Sequence, residues 1–159
     1  MDIGELFESA NKLRGTDAFA LDKNGACGLL AGNDLAIQLV HIPETDELLT
    51  SANIGVEPSA GREALYRSIL SAMYMFRGTA GATIAVNDAA HEICLMRHDQ
   101  VAFMDGETLL ETIDTFAEVA RKWRQALLAF SPVTADAERE STREKAEART
   151  MRRDGFIQV

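Results

Sequence analysis

Cysteine, proline, aromatic residues and positive charge are all scarce in this chain of 159 residues. It holds two cysteines and three prolines, and aromatics make up 6%. Two cysteines cannot build a disulfide scaffold. Cys27 and Cys94 fall inside strand-like patterns, where they are expected to act as small buried apolar residues. No apolar run approaches the ~18–20 residues that a membrane-spanning helix needs. The first residues, Met1-Asp2-Ile3-Gly4-Glu5, are acidic and lack the basic start and apolar core of a signal peptide. A cytoplasmic protein without membrane contact is expected. Basic residues number 16 against 25 acidic ones, a net charge of −9 at pH 7. Nucleic-acid binding depends on neutralising phosphates with Lys and Arg, so no such partner is expected.

Catalytic and ligand-binding motifs are also missing. His91 and Cys94 have a spacing seen in metal sites, but His41 and His98 complete no ligand-spaced pair, so no metal is expected. Asp22-Lys23-Asn24-Gly25 resembles the opening of a calcium loop. Its glycine comes two positions early and no glutamate closes it, which leaves a hairpin turn. Gly55 and Gly61 have the wrong spacing for a phosphate-binding loop and precede Arg62 rather than Lys. No Gly-x-Ser-x-Gly or Gly-x-Gly-x-x-Gly occurs. No cofactor and no enzymatic activity are expected, although catalytic groups can converge from distant positions.

What the chain does have is an ordinary globular composition, 47% apolar and 26% charged, at a length that suits one domain. Ile3, Leu6, Phe7, Ala10 and Leu13 recur at helical spacing up to Gly15. Four strand patterns follow: a short one at Phe19 and Leu21, then residues 26–31, 35–40 and 48–56, joined by turns at Asn24-Gly25 and at 32–34. A helix is expected over 61–76, strands over 82–86 and 93–97, and a last helix from an Asp105 cap to about Phe130. The order α-β-β-β-β-α-β-β-α specifies an α+β fold with a single antiparallel β-sheet and three helices. Residues 1–130 form the expected domain. Residues 131–159 form a polar, charged tail, disordered or a solvated helix, because 134–150 contain no apolar side chain larger than Ala. Its last five residues, Gly155-Phe156-Ile157-Gln158-Val159, are apolar again. Residues 1–130 hold 10 basic and 19 acidic side chains, and the tail holds 6 of each.

The helix over 61–76 has more apolar surface than a sheet needs. Leu65, Ile69, Ala72, Met73 and Phe76 make one stripe, and Tyr66, Leu70 and Tyr74 make a second beside it. With Met75 the apolar arc spans roughly 260°, where a surface helix needs about 100°. Either other helices of the chain cover the second stripe, or it meets the same stripe of a second copy. The other two helices show one-sided stripes, so a two-fold homodimer is favoured, with Tyr66, Ile69, Leu70, Met73 and Tyr74 at the contact.

These features together resemble the class I chaperones of bacterial type III secretion, the Tir-chaperone family. Phe19-Ala20-Leu21-Asp22-Lys23-Asn24-Gly25-Ala26-Cys27 is similar to the family's strand, acidic glycine turn and returning strand. Ser51-Ala52-Asn53-Ile54-Gly55-Val56-Glu57-Pro58 is similar to its strand end. Leu65-Tyr66-Arg67-Ser68-Ile69-Leu70-Ser71-Ala72-Met73 resembles the start of its dimer helix. Met73 stands where many members have Asn. The resemblance covers about residues 3–130. It implies a homodimer without enzymatic activity that binds, in extended form, a segment near the N-terminus of a secreted effector and keeps it competent for export. An extended segment can add to a sheet edge while its side chains fill pockets. Ile3, Leu6, Phe7, Ala10, Leu13, Leu30, Val40 and Ile42 are the candidates for the effector groove. Two alternatives stay open: a regulator of the same fold that sequesters another protein, and an enzyme or small-ligand protein whose site the sequence hides.

Overall fold

The computed structural model describes residues 2–130, and the expected tail over 131–159 lies outside them. Helix α1 (Ile3–Arg14) begins where the sequence supplies both halves of a cap. The Asp2 carboxylate accepts from the Glu5 N–H at 2.9 Å, and the Glu5 carboxylate accepts from the Asp2 N–H at 3.0 Å. This exchange satisfies two backbone donors near the helix start. Gly15 ends the helix with φ 64°, a left-handed conformation that a residue lacking Cβ adopts cheaply.

The short strand expected at Phe19 and Leu21 does not form. Asn11 of α1 takes its backbone instead. The Asn11 amide donates to the Phe19 carbonyl at 2.9 Å, and its oxygen accepts from the Phe19 N–H at 3.0 Å. Those are the groups a ladder would have used. The ring of Phe19 is buried, 5.7 Å edge-on from Phe7.

The sheet therefore has five strands: β1 (Ala26–Ala31), β2 (Leu35–Ile42), β3 (Glu47–Val56), β4 (Thr83–Asn87) and β5 (Glu92–Gln100). Every neighbouring pair is antiparallel, in the order β1-β2-β3-β5-β4. Strands β1 and β4 are the edges. Leu39 lies opposite Cys27 and Thr50, and Leu95 lies opposite Ala52 and Ile84. All six are buried, which marks this as the core face. Alternation sends Leu30, Val40, Ile42, Leu49 and Met96 to the other face, and none of them is fully buried.

Helix α2 (Arg62–Met73) buries only Leu65 and Ile69. It ends three residues earlier than its apolar pattern suggests. Met75 and Phe76 both take left-handed backbone, at φ 56° and 52°, so the stripe cannot continue as α-helix. The Gly78 N–H then folds back to the Ala72 carbonyl at 2.9 Å, and the indole of Trp123 donates to the Gly78 carbonyl at 2.9 Å.

Helix α3 (Gly106–Leu128) carries the clean stripe expected of it, with Leu109, Ile113, Phe116, Ala117 and Ala120 buried. The Asp105 carboxylate caps it, accepting from the Thr108 N–H at 2.8 Å. That bond holds the carboxyl below its ordinary range. The cap is therefore intact at neutral pH and is lost only as the pH falls through the depressed value. Gly106 is buried where α3 crosses α1. A Cβ there would sit 2.4 Å from the Ser9 Oγ and 2.8 Å from the Ala10 backbone nitrogen.

Gly106→Ala is accordingly expected to cost about 1–3 kcal/mol in urea unfolding, by overpacking against backbone. Trimming the neighbouring side chain in Ser9→Gly should not recover the loss, because the Ala10 backbone remains in the way.

Candidate protein-binding surfaces

The inner face of α1 is committed to the core. Leu6 and Ala10 are fully buried and have no surface left to offer a partner, which corrects their expected place in a groove. Phe7 is also core, but its edge lines a groove with Ile3, Asn11, Phe19 and Leu21. This groove, about 640 Å³, runs between α1 and the irregular segment that follows it. Leu13 is 60% exposed on α1 and does not line it. Val40 and Ile42 are half-buried on the far face of the sheet. The eight residues expected in one groove are thus spread over several surfaces.

Leu30 lies at a second concavity that sequence patterns did not locate. The hydrogen bonds around Asp22 show how it arises. The Asp22 N–H donates to the Ala26 carbonyl at 2.7 Å, and the Ala26 N–H donates to the Asp22 carboxylate at 3.0 Å. The intervening parity points the other way: the His41 N–H donates to the Gly25 carbonyl at 2.9 Å, toward β2. Backbone direction alternates along a strand. Gly28 and Leu30 therefore aim their N–H and C=O groups outward, where no described strand pairs with β1.

A trough of about 550 Å³ runs alongside this open edge. Phe19, Ile113 and Ala117 form its floor as part of the core, and the more accessible Leu29 and Leu30 stand at its β1 side. Charged groups rim it. Arg14 pairs with Asp114, tying the end of α1 to α3. Arg121 donates to the Ala31 carbonyl at 2.7 Å and reaches Asp34 at 3.3 Å, which closes the trough at the β1–β2 turn. Only Leu30 of these residues was expected at a binding surface. The long-range pairings Arg14–Asp114 and Arg121–Ala31 leave no local pattern to find.

The outer side of α2 is the third surface. Leu70 and Tyr74 are 67% and 69% exposed, whereas Tyr66 and Met73 are half-buried against the core. Ile69 is 5% exposed and belongs to the core, a correction to its expected dimer contact. Met75 and Phe76, on the left-handed turn, extend the exposed apolar surface instead.

Reactive chemistry is sparse among the described residues. Burial pushes both thiols up, with Glu92 adding to the effect at Cys94. One trio, Glu57, Asp88 and His91, brings ligand-type atoms within 4.8 Å of one another. Its Glu57–His91 contact is an ion pair of 3.3 Å at the base of the β4–β5 turn when the imidazole is protonated, and Cys94 takes no part in it.

The sequence pattern of the Tir chaperone protein (CesT) family matches residues 6–124, which hold nearly all the residues that build these surfaces. The chain belongs to that family. No curated protein sequence matches it as a relative. Three solved structures resemble this CesT-family fold. A chain of the ExsC–ExsE complex has 20% identity and a TM-score of 0.65, covering 82% of this chain and 100% of its own. A chain of the HopA1–SchA chaperone–effector complex has 17% identity and a TM-score of 0.63, covering 79% and 99%. A chain of the heterodimeric ExoU–SpcU complex from the type III secretion system of Pseudomonas aeruginosa has 14% identity and a TM-score of 0.57, covering 77% and 93%. At such identities the likeness concerns the fold. Among the described residues, no helix is long and apolar enough to cross a membrane.

The burial pattern separates core from surface in one experiment. Leu6→Ala should cost about 2–5 kcal/mol of unfolding free energy. Leu13→Asp and Leu30→Asp, at exposed positions, should stay within about 0.5 kcal/mol of the parent. Urea titration followed by circular dichroism measures both.

Proposed function

We propose that this protein is a cytoplasmic, homodimeric chaperone that binds an extended segment near the N-terminus of a type III secretion effector and keeps it export-competent. No catalysis, cofactor or nucleic acid enters this function. The observation that carries it is an unpaired sheet edge at Gly28 and Leu30 beside a trough with charged walls, in a domain of the CesT family. An extended segment supplies what that edge lacks, a second row of backbone donors and acceptors, while alternate side chains enter the trough. The groove at Ile3 and Phe7 continues the apolar path along α1. The solved structures named above include complexes of chaperones with effectors, which is consistent with a protein client.

The second copy meets the outer side of α2 in this proposal. Leu70, Tyr74, Met75 and Phe76 form a run of large exposed apolar side chains. A two-fold contact covers such a patch with itself.

Leu70→Asp should convert the dimer to a monomer of 17.4 kDa in sedimentation at micromolar concentration, without loss of fold. A dimer that persists in this variant would overturn the assignment of α2. Co-expression with candidate effectors should yield, for a true client, a stable complex of two chaperone chains with one effector, whose protease-resistant part lies near the effector's N-terminus. Failure of every such client to co-purify would count against the chaperone function itself.

A further inference from the structure

His91 and Cys94 have a metal-like spacing in the sequence, but the fold gives His91 other neighbours. The chain leaving β3 brings Glu57 against the β4–β5 turn, where the Glu57 N–H donates to the His91 carbonyl at 2.9 Å. The Glu57 carboxylate stands 3.3 Å from the His91 Nδ1. Asp88, on the same turn, completes the group, and one ligand-type atom from each of the three lies within 4.8 Å of the others.

The state of Glu57 sets this group apart from a solvated acidic cluster. Its side chain is only 2% exposed. A buried carboxylate needs its charge balanced. Among the described residues its carboxylate has no partner besides His91, and Asp88 adds a second negative charge nearby. A protonated imidazole offsets one of the two carboxylates, whereas a divalent cation offsets both. The spacing agrees with the second solution. Around a tetrahedral zinc ion with bonds of about 2.0–2.1 Å, neighbouring ligand atoms lie ~3.3–3.4 Å apart. The Glu57–His91 separation has that length.

We propose that Glu57, Asp88 and His91 form a zinc-binding site, with water completing a four-coordinate shell. An imidazole with two carboxylates suits zinc and its transition-metal neighbours, while magnesium and calcium favour oxygen alone. The ion joins the chain after β3, which leads into α2, to the turn between β4 and β5. It therefore braces the entry to the helix assigned above to the second copy, and it does so without taking part in client binding. The other two histidines offer less. His41 has Asp46 at 3.1 Å and His98 has Glu47 at 3.6 Å, and neither pair gains a third ligand among the described residues.

Zinc chloride alone, titrated calorimetrically into the full-length protein at neutral pH, should bind at one ion per chain and raise Tm. With zinc a hundredfold above its Kd, the unfolding constant should fall about a hundredfold. Glu57→Gln, Asp88→Asn and His91→Asn should each weaken binding about tenfold or more. Asparagine is the choice at 91 because the backbone there is left-handed, at φ 53°. Asp88 is exposed, so Asp88→Asn should keep the zinc-free circular dichroism spectrum of the parent, and its loss of zinc would not come from unfolding. His41→Ala/His98→Ala should bind as the parent does. Zinc should shift the ring-nitrogen resonances of His91 and leave those of His41 and His98 in place. Unchanged affinity in Asp88→Asn and His91→Asn, or lost binding in His41→Ala/His98→Ala, would place the ion elsewhere and overturn the proposal. Absence of saturable binding to the parent would overturn it as well.

Discussion

Helix α1 and helix α3 can share one face of the sheet only because Gly106 has no side chain. The first turn of α3 lies on the backbone of Ala10, closer than any Cβ allows. From that crossing α3 runs over β2 and β3, burying Leu109, Ile113 and Phe116, and its far end reaches the loop after α2 through Trp123. The irregular segment after α1 is held in the same way, by Asn11 rather than by a ladder. Had it joined the sheet, β1 would be an inner strand and no open edge would stand beside the trough. A contact between two helices and one asparagine thus determine whether the domain has a place for a partner.

The domain separates apolar residues that stabilise it from those that do not. Leu6, Leu39, Leu95 and Leu109 are fully enclosed, and each contributes about 1.5–3 kcal/mol by leaving water. Leu30, Leu70, Tyr74, Met75 and Phe76 stay at least half exposed. They add nothing comparable to the fold and carry the hazard of self-association. Two of them sit on left-handed backbone, which itself costs free energy. Net charge offsets the hazard, since every copy repels every other at neutral pH.

Much of this was legible in the sequence. Helical spacing located α1 and α3 to within two residues, and the glycine-containing turns located β1, β2 and β3. The α+β class and the single antiparallel sheet followed from their order. The failures share one cause. Phe19 and Leu21 have the alternation of a strand, but Asn11, eight residues earlier, claims their backbone, and no periodicity reports a side chain that does so. Residues 74–76 have the spacing of a helix, but their apolar side chains face solvent on a turn. At the candidate surfaces, composition identified apolar residues without telling core from surface. Leu6 and Ile69 look like Leu13 and Leu70 in a periodicity plot, and only the packing of the sheet separates them. The trough was invisible because its walls come from α1, β1 and α3, and α3 lies more than eighty residues beyond the other two.

Main-chain groups at Gly28 and Leu30 are the same in every polypeptide, so an edge of this kind has no vocabulary of its own. Any preference among partners must come from the walls, from the width left between Phe19 and Ala117 and the charges of Arg14, Asp114, Glu118 and Arg121. Those side chains can drift without disturbing the ladder. A domain using such a device would change what it recognises by a few wall residues while its sheet stays fixed.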